Sequence, residues 1–184
     1  IAAVVGWQVR RLRRRHSFKV IAVAGSVGKT STKFAIATVL SKKLRVRFQE
    51  GNYNDYISVP LIFFGLSMPS IFNPIAWLAV FIKAEKQIWR TYPYDVVVAE
   101  VGTDGPGQMS AFKRYLEADL GVLTAISPEH MEFFEDLDDV AKEELAIANF
   151  SKKLLINADF VDDKYKAISR KPSLTYGLKQ KSDY

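Results

Sequence analysis

Residues 18–33, FKVIAVAGSVGKTSTK, run an apolar β-branched stretch straight into a glycine-containing turn and then a helix-forming stretch. A strand that feeds a glycine turn and a helix leaves few folds open, and most of them are parallel α/β. The rest of the chain keeps that rhythm. The runs KVIAVAG (19–25), YDVVVAEVG (94–102), DLGVLTAI (119–126) and KLLINA (153–158) are nearly continuous in Val, Ile and Leu. Such runs suit strands buried on both faces. Candidate helices fall between and after them, at about 29–43, 107–117, 137–150 and 160–169. The pattern predicts an α/β fold, a doubly wound and mostly parallel sheet carrying a phosphate-binding loop.

In open α/β sheets the ligand crevice lies beyond the carboxyl ends of the strands, and three such ends carry suitable chemistry. At the first, Gly25 and Gly28 let backbone N–H groups approach phosphate oxygens, Lys29 supplies a cation and Thr30 a hydroxyl for Mg²⁺. The candidate nucleotide contacts there are Gly25, Ser26, Val27, Gly28, Lys29, Thr30 and Ser31. A standard phosphate loop also has a glycine at position 23, where this chain has Val23. The second end is Glu100, before the glycine-rich GTDGPGQM; a carboxylate there can reach a metal held by phosphates. At the third, His130 follows the next strand in ISPEHMEFF.

Charge and composition narrow the partners. The formal charge is +6, but Arg10, Arg11, Arg13, Arg14 and Arg15 lie in one short window and the remainder is nearly balanced. Nucleic acid is therefore not an expected partner, since nothing beyond that block offers a readout element. The absence of cysteine excludes disulfides and thiolate metal sites, and cytoplasm is the default compartment. The start, IAAVVGWQVRRLRRRHS, supports two readings: a basic helix leading into the domain, or the cytoplasmic end of a membrane helix, with Trp and clustered Arg at the inner face. Residues 57–92 are strongly apolar and contain Pro60, Pro69 and Pro74. Their run Ile75 to Ile82 is too short to span a bilayer. It reads as a buried helix with its loop, or as an interfacial helix that attaches the protein to a membrane surface together with residues 1–17.

Six ordered segments carry a resemblance. VIAVAGSVGKTSTK (20–33), GNYNDYISVPL (51–61), VVVAEVGTDGPGQM (96–109), LTAISPEHMEFFEDLDDVAKEE (123–144), LLINADFVDD (154–163) and LTYG (174–177) together resemble the central ATPase domain of the Mur ligase family. That family's loop begins at the Gly25 position, which accounts for Val23. The resemblance covers roughly residues 18–184, so the chain divides into a basic segment 1–17 and an ATP-binding domain 18–184. It implies an ATP-dependent ligase that activates a carboxylate as an acyl phosphate and captures it with an amine. The wording is nearest to the member of the family that joins D-alanyl-D-alanine to a UDP-muramoyl peptide in cell-wall precursor synthesis. A folylpolyglutamate synthase-like ligase and a non-catalytic nucleotide-binding or membrane-recruitment module are the alternatives.

By matching positions, the resemblance puts Lys29 and the loop amides on the ATP phosphates and Thr30 with Glu100 on one Mg²⁺. His130 falls on a second Mg²⁺, and Asn52 and Asn54 fall beside the γ-phosphate. Lys29, Glu100 and His130 are the expected catalytic residues. Three departures stand out. The family's carbamate-bearing lysine is replaced by Glu144, here expected on the second metal in preference to Lys142, which lies on another helix face. Residues 69–92 are an apolar insertion. The family's flanking domains are not in this sequence, and the central sheet is expected to be incomplete at its C-terminal end, so the piece alone is expected to be inactive.

Overall fold

The computed structural model describes residues 1–51, 53–167 and 172–184. A helix α1 (Ala2–Arg15) precedes β1 (Lys19–Ala24), α2 (Lys29–Leu40) and β2 (Val46–Phe48). Then come α3 (Val59–Ile62), α4 (Pro74–Trp89), β3 (Val96–Glu100), α5 (Gln108–Ala111) and β4 (Ala118–Leu123). The chain continues through α6 (Leu137–Leu145), β5 (Ser151–Asn157), α7 (Asp163–Lys166) and β6 (Ser173–Tyr176). Short 3₁₀ turns follow α5 and α6, at Phe112–Arg114 and Ala146–Phe150.

Among the described residues, six parallel strands form one sheet in the order β2-β3-β1-β4-β5-β6. After β1 the chain moves outward to β2 and back to β3, then crosses to β4 on the other flank. The strand order therefore reverses around β1, and its C-terminal end opens on the crevice where such sheets place ligands. Register fixes the arrangement of that edge. Val23 pairs with Glu100 on one side and with Val122 on the other.

Each inner strand is buried on both faces, which explains the continuous apolar runs. Val20, Ala22 and Ala24 of β1 face a large cluster with α1, α3, α4 and α6, whereas Val23 faces a smaller one that includes Ile36 and Leu40 of α2. The four runs read as strands are β1, β3, β4 and β5, trimmed by one to three residues at the end and trimmed or extended by up to two at the start. The edge strands β2 and β6 lie outside that reading. Three expected helices end early: α2 gives way to a turn after Leu40, and the 107–117 and 137–150 helices pass into the 3₁₀ turns. The fourth is only α7, and the end of its expected range lies outside the described residues.

The N-terminal segment is neither a free arm nor a separate unit. Val5, Val9 and Leu12 of α1 are fully buried in the large cluster, so residues 1–17 are packed with the domain. Residues 69–92 supply a partner for them in α4. Asn73 caps α4 by accepting the Ala76 N–H at 3.0 Å, Pro74 occupies the first turn, and Trp77, Val80, Ala84 and Ile88 turn inward at helical spacing. Of the two readings of 57–92, the buried helix describes that inner face of α4 only. Its outer face is exposed, apolar at Ile75, Leu78 and Ile82 and basic at Lys83 and Lys86.

Candidate nucleotide site

The loop between β1 and α2 is held open by glycine and fastened from behind. Gly25 has φ +124° and Gly28, which caps α2, has φ +86°, backbone conformations that side-chain-bearing residues rarely adopt. At Gly25 the space is closed as well: a Cβ there would lie 2.3 Å from Thr124 Oγ1 and 2.8 Å from the Ala125 nitrogen. Thr124 Oγ1 is within hydrogen-bond distance of the carbonyls of Ala24 and Val27, at 3.1 and 2.7 Å. Ser26 donates its N–H to the Ala125 carbonyl, and its Oγ accepts the Ser127 N–H at 3.0 Å. The end of β4 thus braces the loop against β1.

Lys29 folds back over this loop. Its Nζ donates to the Gly25 carbonyl at 2.5 Å and the Ser26 carbonyl at 3.3 Å, and sits 3.8 Å from Glu129 Oε2. A phosphate entering the loop would take over those contacts. Thr30, one residue on, donates its hydroxyl to Glu100 at 3.0 and 3.2 Å. Asn54 Nδ2 reaches Glu100 Oε1 at 3.4 Å, and the Asn54 carbonyl accepts the Gly102 N–H at 2.8 Å. Thr30, Glu100 and Asn54 are therefore close around one strand end, with Lys29 turned over the loop after β1. Asn52 lies outside the described residues.

His130 and Glu144 take other places. His130 is on the exposed rim with a positive φ of 49°, its Nε2 3.7 Å from Asp104 Oδ1. Glu144 is fully buried and accepts the Gly25 N–H at 2.7 Å through Oε2. No three His, Asp or Glu side chains among the described residues converge into a metal-holding group. Two expected pairs bear on this: Thr30 and Glu100, assigned to one Mg²⁺, are in contact, whereas of the pair assigned to a second, His130 lies beside Asp104 and Glu144 is buried against Gly25. Of the two α6 residues weighed for the lysine position, Glu144 turns inward and Lys142 outward, pairing with Asp139. Burial raises the Glu144 carboxyl to about 8; Lys29 opposes the shift and the neighbouring Glu129 carboxyl adds to it.

Two residues that the sequence reading missed complete the site. Lys33 is fully buried, 3.0 Å from Glu100 Oε2, and donates to the Gly51 carbonyl at 3.0 Å. It ties α2 to the loop that carries Asn54 and supplies the positive charge that a buried carboxylate requires. The signal was its spacing, since residues 29, 30 and 33 share one helix face. Glu143 was equally hidden. It accepts the N–H groups of Gly107 at 2.7 Å and Met109 at 2.6 Å, and the Thr103 hydroxyl at 3.2 Å, so it orders the glycine-rich loop after β3.

Oxygen donors from a hydroxyl and a carboxylate suit Mg²⁺, so Thr30 and Glu100 fit that ion, with the Lys33 ammonium beside the same carboxylate. The buried Oε1 of Glu144 has no hydrogen-bond partner among the described residues.

Known proteins share this fold. Residues 79–184 match the Mur ligase middle domain family. The UDP-N-acetylmuramoyl-tripeptide–D-alanyl-D-alanine ligase of Rickettsia prowazekii is 30% identical over 149 residues, covering 79% of this chain and 28% of that protein. The ligase of the same name from Bacillus subtilis is 30% identical over 135 residues, covering 73% and 24%. The chain thus spans about a quarter of the length of these curated relatives. Among solved structures, MurF ligase from Thermotoga maritima in complex with ADP superposes with a TM-score of 0.73 at 21% identity, over 97% of this chain and 37% of that one. With the sheet order, the braced glycine loop and the Thr30–Glu100 contact in place, the match over more than half its length shows that this chain belongs to the Mur ligase middle-domain family.

Proposed function

We propose that these residues are the ATP-holding part of a carboxylate–amine ligase that adds D-alanyl-D-alanine to a UDP-muramoyl peptide. The observation that carries the reading is the contact of Thr30 with Glu100 beside the glycine loop, in a chain whose curated relatives bear that ligase's name. In this reading the N–H groups of the loop and Lys29 hold the phosphates, and Thr30 and Glu100 hold Mg²⁺, which neutralises phosphate charge when bound. The substrate carboxylate attacks the γ-phosphorus, ADP leaves, and an acyl phosphate remains. The amine then attacks the acyl carbon, phosphate leaves, and an amide forms as the amine loses its proton.

The chain's own residues serve positioning. Lys33 pairs with Glu100 and aims it, Glu143 orders the neighbouring loop, and Glu144 holds Gly25. His130 lies beside Asp104, and no step here is routed through a second metal. ADP release by the full-length protein, given a panel of UDP-muramoyl peptides with and without D-alanyl-D-alanine, tests the reading. Release that requires both substrates and is lost in Glu100→Ala is the expected result. Stimulation by a folate substrate alone overturns it.

A further inference from the structure

The helices α1 and α4 lie side by side and run in the same direction. Gln8 Nε2 donates to the Phe81 carbonyl at 2.9 Å, Arg11 pairs with Glu85 at 2.6 Å, and the His16 ring nitrogen lies 3.0 Å from the Ile88 carbonyl, so contacts advance together along both helices. Each helix also changes character along its outer face, and the two changes coincide. On α1, exposed Val4 and Trp7 give way to exposed Arg10 and Arg14. On α4, exposed Ile75, Leu78 and Ile82 give way to Lys83, Lys86 and then Arg90. Parallel packing therefore gathers one apolar end and one basic end. Phe72, just before α4, is 88% exposed and Ile75 is 80% exposed, both at the apolar end.

Folding alone does not need this surface, because contiguous exposed apolar patches mark interaction sites. We propose that this pair of helices docks on an anionic lipid surface, with its apolar end among the acyl chains and its basic end at the phosphates. Charge selects lipid over a protein partner. The two helices carry five arginines and two lysines against one glutamate, and that Glu85 is taken by Arg11 and the Trp89 indole N–H. A protein-docking core is depleted in charge and is rimmed by both signs, whereas apolar residues grading into an all-basic band match an anionic bilayer.

Dimensions agree. At 1.5 Å per residue, Val4 and Arg10 are about 9 Å apart along α1, comparable with the ~5–10 Å depth to which interfacial helices bury their apolar side chains. Trp7, with the Arg11 guanidinium 4.5 Å from its ring centroid, falls between the two zones, where interfacial tryptophan is favoured. No described helix is long and apolar enough to cross a membrane, so the docking assigned to these residues is to one face of the bilayer.

The test is sedimentation of the full-length protein with vesicles of phosphatidylcholine alone or with one third phosphatidylglycerol. Binding at least about ten-fold tighter to the anionic vesicles, weakened by raised salt, is expected. The double variant Phe72→Ser with Ile75→Ser should lose about ten-fold or more through the apolar end. Arg14→Glu with Lys86→Glu should lose as much through the basic end. All four residues are exposed, and unchanged circular dichroism melts confirm intact folding. Equal binding to neutral and anionic vesicles, binding that ignores both double variants, or no binding to either vesicle, as when another part of the longer protein covers this face, overturns the proposal.

Discussion

The crevice at the strand ends and the outer face of α1 and α4 break the usual burial rule in opposite directions. At the crevice, ionisable side chains are buried: Lys33, Glu100 and Glu144 are nearly or fully shielded from water. On the helices, apolar surface is exposed at Phe72, Ile75 and Leu78. Ordinary cores and surfaces do neither, and each exception has a physical cost. The difference lies in where compensation comes from. Buried charges are compensated inside the chain, by ion pairs and backbone N–H groups, whereas the exposed apolar face has no partner among the described residues. Substitutions at the crevice should therefore be felt in stability, and those on the helix face should be nearly silent in the isolated protein.

The largest effect is expected at Lys33. Lys33→Met leaves Glu100 buried without its counter-charge and should destabilise by about 3–5 kcal/mol in urea unfolding. The double variant Lys33→Met with Glu100→Gln should recover much of that loss, and a failure to recover would detach Lys33 from Glu100. Next is Gly25→Ala. Its φ of +124° and the Thr124 contact predict a loss of about 1–3 kcal/mol together with loss of ATP-analogue binding, read by fluorescence titration.

Glu144→Gln sharpens the comparison through pH. The folded carboxyl titrates near 8, far above an unfolded glutamate, so between those values the folded state holds a proton that the unfolded state has lost. Wild-type stability should fall as pH rises through that window, by at most about 1.4 kcal/mol per pH unit from this group. Glutamine keeps an acceptor for the Gly25 N–H and does not titrate, so the variant should gain on wild type from pH 5 to 8. A constant difference across that range would mean Glu144 is already ionised. Last comes Phe72→Ser, expected to alter stability by less than about 0.5 kcal/mol. A larger loss would show that Phe72 packs against the protein.

What could be read from the sequence follows from how local each signal is. Val96–Glu100 and the other inner strands were legible because burial on both faces writes itself as unbroken apolar runs. β2, only Val-Arg-Phe, and β6, Ser-Leu-Thr-Tyr, were not, because a short edge strand is half exposed and lacks such a run. The glycine loop and Glu100 were legible from strand-end position. Lys33 and Glu143 were not, because their burial depends on partners far along the chain: Glu100 for one, the backbone N–H groups of Gly107 and Met109 for the other. α1 shows the same limit. Its apolar residues were plain, but only α4 and α3 reveal which of them are covered.

Glu143 and Glu144 are neighbours on one turn of α6, and they grip different loops, one at Gly107 and Met109, the other at Gly25. Adjacent residues of a helix cannot drift apart, so α6 acts as a tie rod between the two segments. The loop at Gly25 and the segment after β3 are thereby held at one spacing by a single turn of helix.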